Sequence, residues 1–136
     1  MSLTGTAIDK QTVNKLIASA IKAQQMAYAP YSKFRVGAAL LTADGQIITG
    51  CNVENSAYGL CNCAERTAIF KAVSEGQRAF RAIAIVGDSD APCAPCGACR
   101  QVMVEFAPQM QVIMANPKGE FEAMTAAELL PKFFKL

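Results

Sequence analysis

The chain has no histidine and no tryptophan among its 136 residues. Histidine is the usual general base and the commonest zinc ligand, so proton transfer near neutral pH must fall to a carboxylate or thiol tuned by its surroundings. Charge is scarce as well: 18% of residues are charged, and 13 Lys and Arg against 11 Asp and Glu leave a formal net charge of +2. Without a basic run there is no electrostatic footprint for a nucleic acid, and a small molecule is the expected partner. Long apolar runs are missing too. Val36 to Ala43 and Ile83 to Gly87 fall well short of the roughly 20 apolar residues that cross a bilayer. Met1 to Asp9 lacks the basic and apolar regions of a signal peptide, so a soluble, cytoplasmic protein without membrane association is expected. Nine Gly and six Pro are scattered singly through a sequence that is 52% hydrophobic, which excludes a disordered, collagenous or low-complexity chain.

What is present fits one core. A chain of 136 residues with no internal repeat and no Ser/Gly linker is expected to form a single domain, 1–136. Met1 to Gly5 reads as a loose end. Asp9 or Thr12 then caps an amphipathic helix carrying Val13, Leu16, Ile17, Ala20, Ile21 and Ala27, which should end at Pro30. Phe34 to Thr42 and Gln46 to Cys51 flank Ala43-Asp44-Gly45 and predict an antiparallel hairpin. A second hairpin is predicted from Gln111 to Asn116 and Glu120 to Met124 around Pro117-Lys118-Gly119. Between them lie two predicted helices, Cys63 to Glu75 closed by Gly76 and Cys96 to Phe106 opened by Pro95, separated by the strand Ala82 to Val86. Thr125 with Glu128 forms a capping box for a last short helix. The sum is an α/β chain: a mixed sheet of about five strands with helices on both faces.

The six cysteines carry the chemistry. Five of them, Cys61, Cys63, Cys93, Cys96 and Cys99, are spaced for metal binding more than for the disulfides of a secreted chain. Cys96 and Cys99 lie at the start of a predicted helix about one turn apart, so two sulfurs can share an ion. Cys63 opens the other helix in the same orientation, and helix N-termini favour thiolates. Cys61 or Cys93 as a fourth ligand would close the site into a structural one, whereas three thiolates leave a position for water. Cys93 and Cys96 also form an overlapping C-x-x-C, which leaves a redox pair open. Glu65, two residues beyond Cys63, can hang beside an ion without ligating it, as a proton carrier would. Three thiolates against Zn²⁺ leave a formal minus one. Arg66, three residues beyond Cys63 on the same helical face, is placed to offset that charge by donating hydrogen bonds to the thiolates.

Cys63-Ala64-Glu65 with Pro95-Cys96-Gly97-Ala98-Cys99 resembles the paired signature of the zinc-dependent nucleoside and nucleobase deaminases, in which the Glu is not a ligand. Tyr31 to Ala39, Gly50 to Asn55 and Cys61 to Arg66 are similar to the small, homotetrameric cytidine deaminases, and the likeness runs from about Tyr28 to Pro131. The resemblance implies a three-layer α/β/α fold with a mixed five-stranded sheet, and one Zn²⁺ per subunit on Cys63, Cys96 and Cys99. It implies hydrolytic deamination of cytidine and 2′-deoxycytidine at C4 in pyrimidine salvage, with Glu65 shuttling the proton. It also implies that Asn52 and Glu54 bracket the ribose, and that Phe34 and Ala64 lie at the base. Sites would sit between subunits of a homotetramer, with Tyr58 and Phe134 arriving from neighbours, although the adjacent Phe133 leaves that register open. The blasticidin S deaminases share the zinc signature and the chain size and are the alternative within the same chemistry. A non-catalytic module with a structural four-cysteine zinc is the alternative outside it.

Overall fold

The computed structural model describes residues 8–136, so the loose end at Met1 to Gly5 lies outside the described residues. Asp9 accepts a hydrogen bond from Thr12 N at 2.7 Å and is the cap of α1 (Lys10–Gln24). The helix stops well before Pro30. Gln25, Met26 and Ala27 close the turn with bonds to carbonyls three residues back, and Tyr28 is drawn into backbone pairing with Asn52 and Glu54. That tertiary pairing overrides an apolar periodicity that would have carried the helix further.

The remaining elements are β1 (Val36–Thr42), β2 (Ile47–Cys51), α2 (Ala64–Ser74), β3 (Phe80–Gly87), α3 (Gly97–Phe106), β4 (Gln111–Ala115), β5 (Phe121–Thr125) and α4 (Ala126–Leu129), with a short 3-10 turn at Tyr58–Leu60. Both predicted hairpins form, and the Thr125 and Glu128 capping box is present. Two boundaries matter for chemistry. Cys63 and Cys96 are the caps of α2 and α3 rather than their first helical residues, with extended backbone and no capping bond from either sulfur. Strand β1 begins at Val36, not Phe34, because Lys33 adopts a φ of 60° and breaks the extended run.

The five strands form one mixed sheet in the order β2-β1-β3-β4-β5. Side-chain alternation along its central strands divides the core in two. Ala39, Leu41, Ala82, Ala84, Val86 and Ala115 face Val13, Leu16, Ile17 and Ala20 of α1. Ala38, Leu40, Ile83, Ile85, Val112 and Met114 face α2, α3 and α4. The layers are therefore α/β/α, as the resemblance implied. Among the described residues no helix is long and apolar enough to cross a membrane.

Small residues on the sheet let the helices lie close. A Cβ built on Gly37 would stand 2.0 Å from Ala20 O in α1, and one on Gly50 would stand 2.6 Å from Ala68 N and 2.7 Å from Ala64 O in α2. Strand β1 is antiparallel to both β2 and β3, and β3 is parallel to β4. Strands β2 and β3 thus run the same way, and the helices that follow them, α2 and α3, start at the same edge of the sheet. Ligands of open α/β sheets bind at such carboxyl ends of strands. The register pairs Gly37 with Cys51 and Val36 with Gly87, so the start of β1 reaches that edge as well. Replacing Gly37 by Ala must push α1 off the sheet, and overpacking of this kind costs about 1–3 kcal/mol. Urea denaturation of Gly37→Ala should show a lowered midpoint with the slope unchanged.

Candidate metal centre and its cleft

The caps of α2 and α3 bring three sulfurs together. Cys63 and Cys96 Sγ are 3.7 Å apart, Cys96 and Cys99 Sγ are 3.5 Å apart, and all three lie within 4.8 Å of one another. A tetrahedral zinc with bonds of about 2.3 Å sets its sulfurs about 3.8 Å apart, so both the spacing and the donor chemistry fit that ion. The other two candidate sulfurs are occupied elsewhere. Cys61 Sγ bonds the backbone N and O of Asn55, and Cys93 packs against the core. Three protein ligands leave one tetrahedral corner open.

Positive charge surrounds the cluster. The amino ends of α2 and α3 each contribute roughly half a positive charge, and Arg66 donates from Nη2 to Cys63 Sγ at 3.2 Å. Bonds from Cys99 and Arg66 hold the Cys63 thiol well below its ordinary range. Arg66 Nε is buried with no acceptor of its own. Glu65 is only 4% exposed. Burial pushes its carboxyl up to about 7, with a smaller contribution from the negative charge of Cys63. Burial likewise pushes the Cys93 thiol up to about 12.

Two clefts meet at Asn52 and Cys63. The larger, of about 380 Å³, is lined by polar groups that include Ser32, Glu54, Tyr58, Asn62 and Arg66. The smaller, of about 200 Å³, is lined by Phe34, Ala64, Glu65, Cys93 and Cys96. One end is thus suited to a hydroxyl-rich group and the other to a flat apolar one. The structure gathers Phe34, Asn52, Glu54, Ala64 and Tyr58 around the cysteine cluster. Tyr58, 84% exposed, borders the larger cleft of its own chain. Phe134 is not at the cleft of its own chain. It is 68% exposed and its carbonyl accepts a bond from Gln101, whereas Phe133 packs against the core.

Asn52 and Glu54 do more than the sequence pattern suggested. The Asn52 amide donates to Phe34 O and accepts from Val36 N, both at 2.9 Å. The Glu54 carboxylate accepts from Tyr31 N at 3.0 Å, from Ser32 N at 3.1 Å and from the Ser32 hydroxyl. These bonds fold the 31–36 segment against the site, and they still leave one N–H and one lone pair on Asn52 for a ligand. Ser32 and Asn62 were not singled out from sequence, since nothing in their spacing distinguishes them. With Arg66 shortened, the cluster loses its charged donor. Arg66→Ala should retain less zinc after dialysis against chelator than the unaltered protein; equal zinc per chain would remove the role given to this residue.

Residues 10–115 match the family described as the cytidine and deoxycytidylate deaminase zinc-binding region. The chain is 59% identical to a cytidine deaminase of Sporosarcina psychrophila over 123 residues, covering 90% of each chain. It is 34% identical to a blasticidin-S deaminase of Bacillus cereus over 108 residues, covering 74% of this chain and 76% of that one. A crystal structure of cytidine deaminase from Burkholderia pseudomallei superposes with a TM-score of 0.87 at 52% identity, covering 93% of this chain and 100% of that chain. A match of this extent, over a cysteine cluster spaced for zinc, establishes that the chain belongs to the cytidine and deoxycytidylate deaminase family.

Proposed function

We propose that the chain is a single deaminase domain that hydrolyses cytidine and 2′-deoxycytidine to uridine and 2′-deoxyuridine with release of ammonia, serving pyrimidine salvage in the cytoplasm. The observation that carries this reading is the buried Glu65 beside three sulfurs at the meeting point of an apolar and a polar cleft. The relatives named above, most of them cytidine deaminases, support the choice of substrate.

Cys63, Cys96 and Cys99 would hold the zinc. When bound, it supplies a Lewis acid that brings the pKa of a water from 15.7 towards about 7. Glu65 takes the proton of the attacking water and hands it to N3 of the pyrimidine as C4 gains its new bond to oxygen and becomes tetrahedral. Glu65 then takes the remaining proton from the new C4 hydroxyl and delivers it to the 4-amino group, the C4–N bond breaks as C4=O forms, and ammonia leaves with the electron pair of the broken bond. Burial of Glu65 keeps bulk water from competing for that proton. Phe34 flanks the flat base, Ala64 lines its edge, and Asn52 with Glu54 addresses the ribose through the valences that their backbone bonds leave free.

A homotetramer with sites between subunits completes the reading. Leu60, Phe70, Phe121 and Met124 are exposed apolar groups available for burial between copies. Phe134, rather than the core-packed Phe133, is free to enter a neighbouring cleft. Truncating Phe134 to Ala should then raise KM for cytidine with stability retained, while Phe133→Ala should lower Tm; the reverse pattern would reassign the stacking residue.

Loss of cytidine absorbance, measured with zinc content, tests the chemistry. Glu65→Gln should keep its zinc and lose at least about 10² in kcat, the range for a positioned acid and base. Undiminished ammonia release by that variant would refute the proton shuttle. Assays with cytidine, deoxycytidine, free cytosine and blasticidin S run in parallel separate the nucleoside reading from the blasticidin alternative.

A further inference from the structure

The Phe34–Arg35 peptide is gripped from both sides. Its carbonyl accepts from Asn52 Nδ2 at 2.9 Å, and its N–H, on Arg35, donates to Asp88 Oδ2 at 2.8 Å. A peptide unit is planar, so two bonds at its opposite edges fix its orientation and, through it, the direction of the Phe34 side chain. Asp88 follows directly on β3 and is itself held. Arg35 Nε reaches Oδ2 at 3.0 Å, Arg35 Nη2 reaches Oδ1 at 3.2 Å, and Gln24 Nε2 reaches Oδ1 at 3.3 Å. Gln24, at the end of α1, is 2% exposed and also donates to Arg35 O at 3.0 Å. Its buried amide thereby ties the Asp88 and Arg35 contact to the helix layer on the far face of the sheet.

The segment needs such a grip. Lys33, just before Phe34, has a φ of 60°, a conformation that a non-glycine side chain keeps only when its surroundings impose it. The ring that follows rests against the end of β3. A Cβ built on Gly87 would stand 2.9 Å from Phe34 Cε2 and Cζ and 3.0 Å from Cys93 Sγ. The ring therefore lies directly over Gly87, the residue before Asp88, as one wall of the cleft that holds Glu65 and Cys96.

We infer that Asp88 is a positioning residue for the reaction: by fixing the Phe34–Arg35 peptide from the β3 side, it sets the Phe34 ring as the wall against which the substrate base packs. This rests on the reading of Phe34 given under Proposed function. Asp88 touches neither the sulfurs nor Glu65, and it acts through the ring alone. The hydrogen bond from Arg35 keeps its carboxyl below the usual range, so it is a charged acceptor throughout the neutral pH range.

A double-mutant cycle on the zinc-loaded protein tests the inference, with KM and kcat for cytidine and zinc per chain as readouts. Asp88→Ala should raise KM about tenfold, with kcat within about twofold and zinc unchanged. Phe34→Ala should raise KM at least as far, and the double variant should be no worse than Phe34→Ala alone, because the two act through one ring. Asp88→Asn keeps an oxygen that can accept from Arg35 N and should recover most of the loss. Arg35→Ala, which spares that backbone donor, should have a smaller effect than Asp88→Ala. Multiplicative effects in the double variant would overturn the positioning role, as would an unchanged KM in Asp88→Ala or a joint fall in kcat and zinc. If Asp88→Ala does not fold, Asp88→Ser enters the same cycle with the same criteria. An unchanged KM in Phe34→Ala would overturn the inference together with the role of Phe34, and a wild type active on cytidine would then separate that result from failure of the substrate reading.

Discussion

Two thiolates about 4 Å apart repel each other by about 4 kcal/mol at an effective dielectric near 20. Cys63, Cys96 and Cys99 lie within 4.8 Å of one another, so as thiolates they hold together only where positive charge meets them from several directions. Two helix amino ends supply part of it, and Arg66, bonded to Cys63, supplies a full charge. What remains fits a divalent cation. The rest of the site follows from this requirement, because the start of α2 also brings Ala64, Glu65 and Arg66 to the cluster, one side of which stays open to the clefts.

The cluster in turn depends on backbone contact. Gly50 lets α2 press against β2, with Ala64 O and Ala68 N where a side chain would otherwise stand. A bulkier residue there would lift the amino end of α2, and Cys63 with it, away from α3. Antiparallel β1 between β2 and β3 brings the starts of α2, α3 and β1 to one edge. Three separate stretches of chain thereby converge there.

The polar side chains at that edge mainly hold backbone. Asn52, Glu54 and Asp88 together hold the 31–36 segment by accepting from Val36 N, Tyr31 N, Ser32 N and Arg35 N. A loop lacking strand partners would leave those donors unpaired, and side-chain acceptors satisfy them instead. The backbone behind the Phe34 ring is held in place by these bonds. Asn52 and Glu54 enter any substrate contact with part of their bonding capacity already spent.

Much was legible in the sequence because it depends on local spacing. Turn residues marked both hairpins, Thr125 and Glu128 marked the last helix, and the cysteine spacing with Glu65 and Arg66 marked the metal cluster. Features set by distant partners were not legible. Helix α1 stopped early because Tyr28 pairs with residues near 53, and nothing around Pro30 announces that. Cys61 and Cys93 could not be separated from the ligands by spacing, and only their placement against Asn55 and the core did so. Asp88 is an ordinary acid after a strand until the sheet register sets it beside Arg35, 53 positions away in sequence. Short-range patterns are written along the chain because neighbouring residues share one turn or one strand. Which remote side chain closes a backbone donor is decided only when strands pair and helices dock, and the fine shape of this cleft belongs to that second kind.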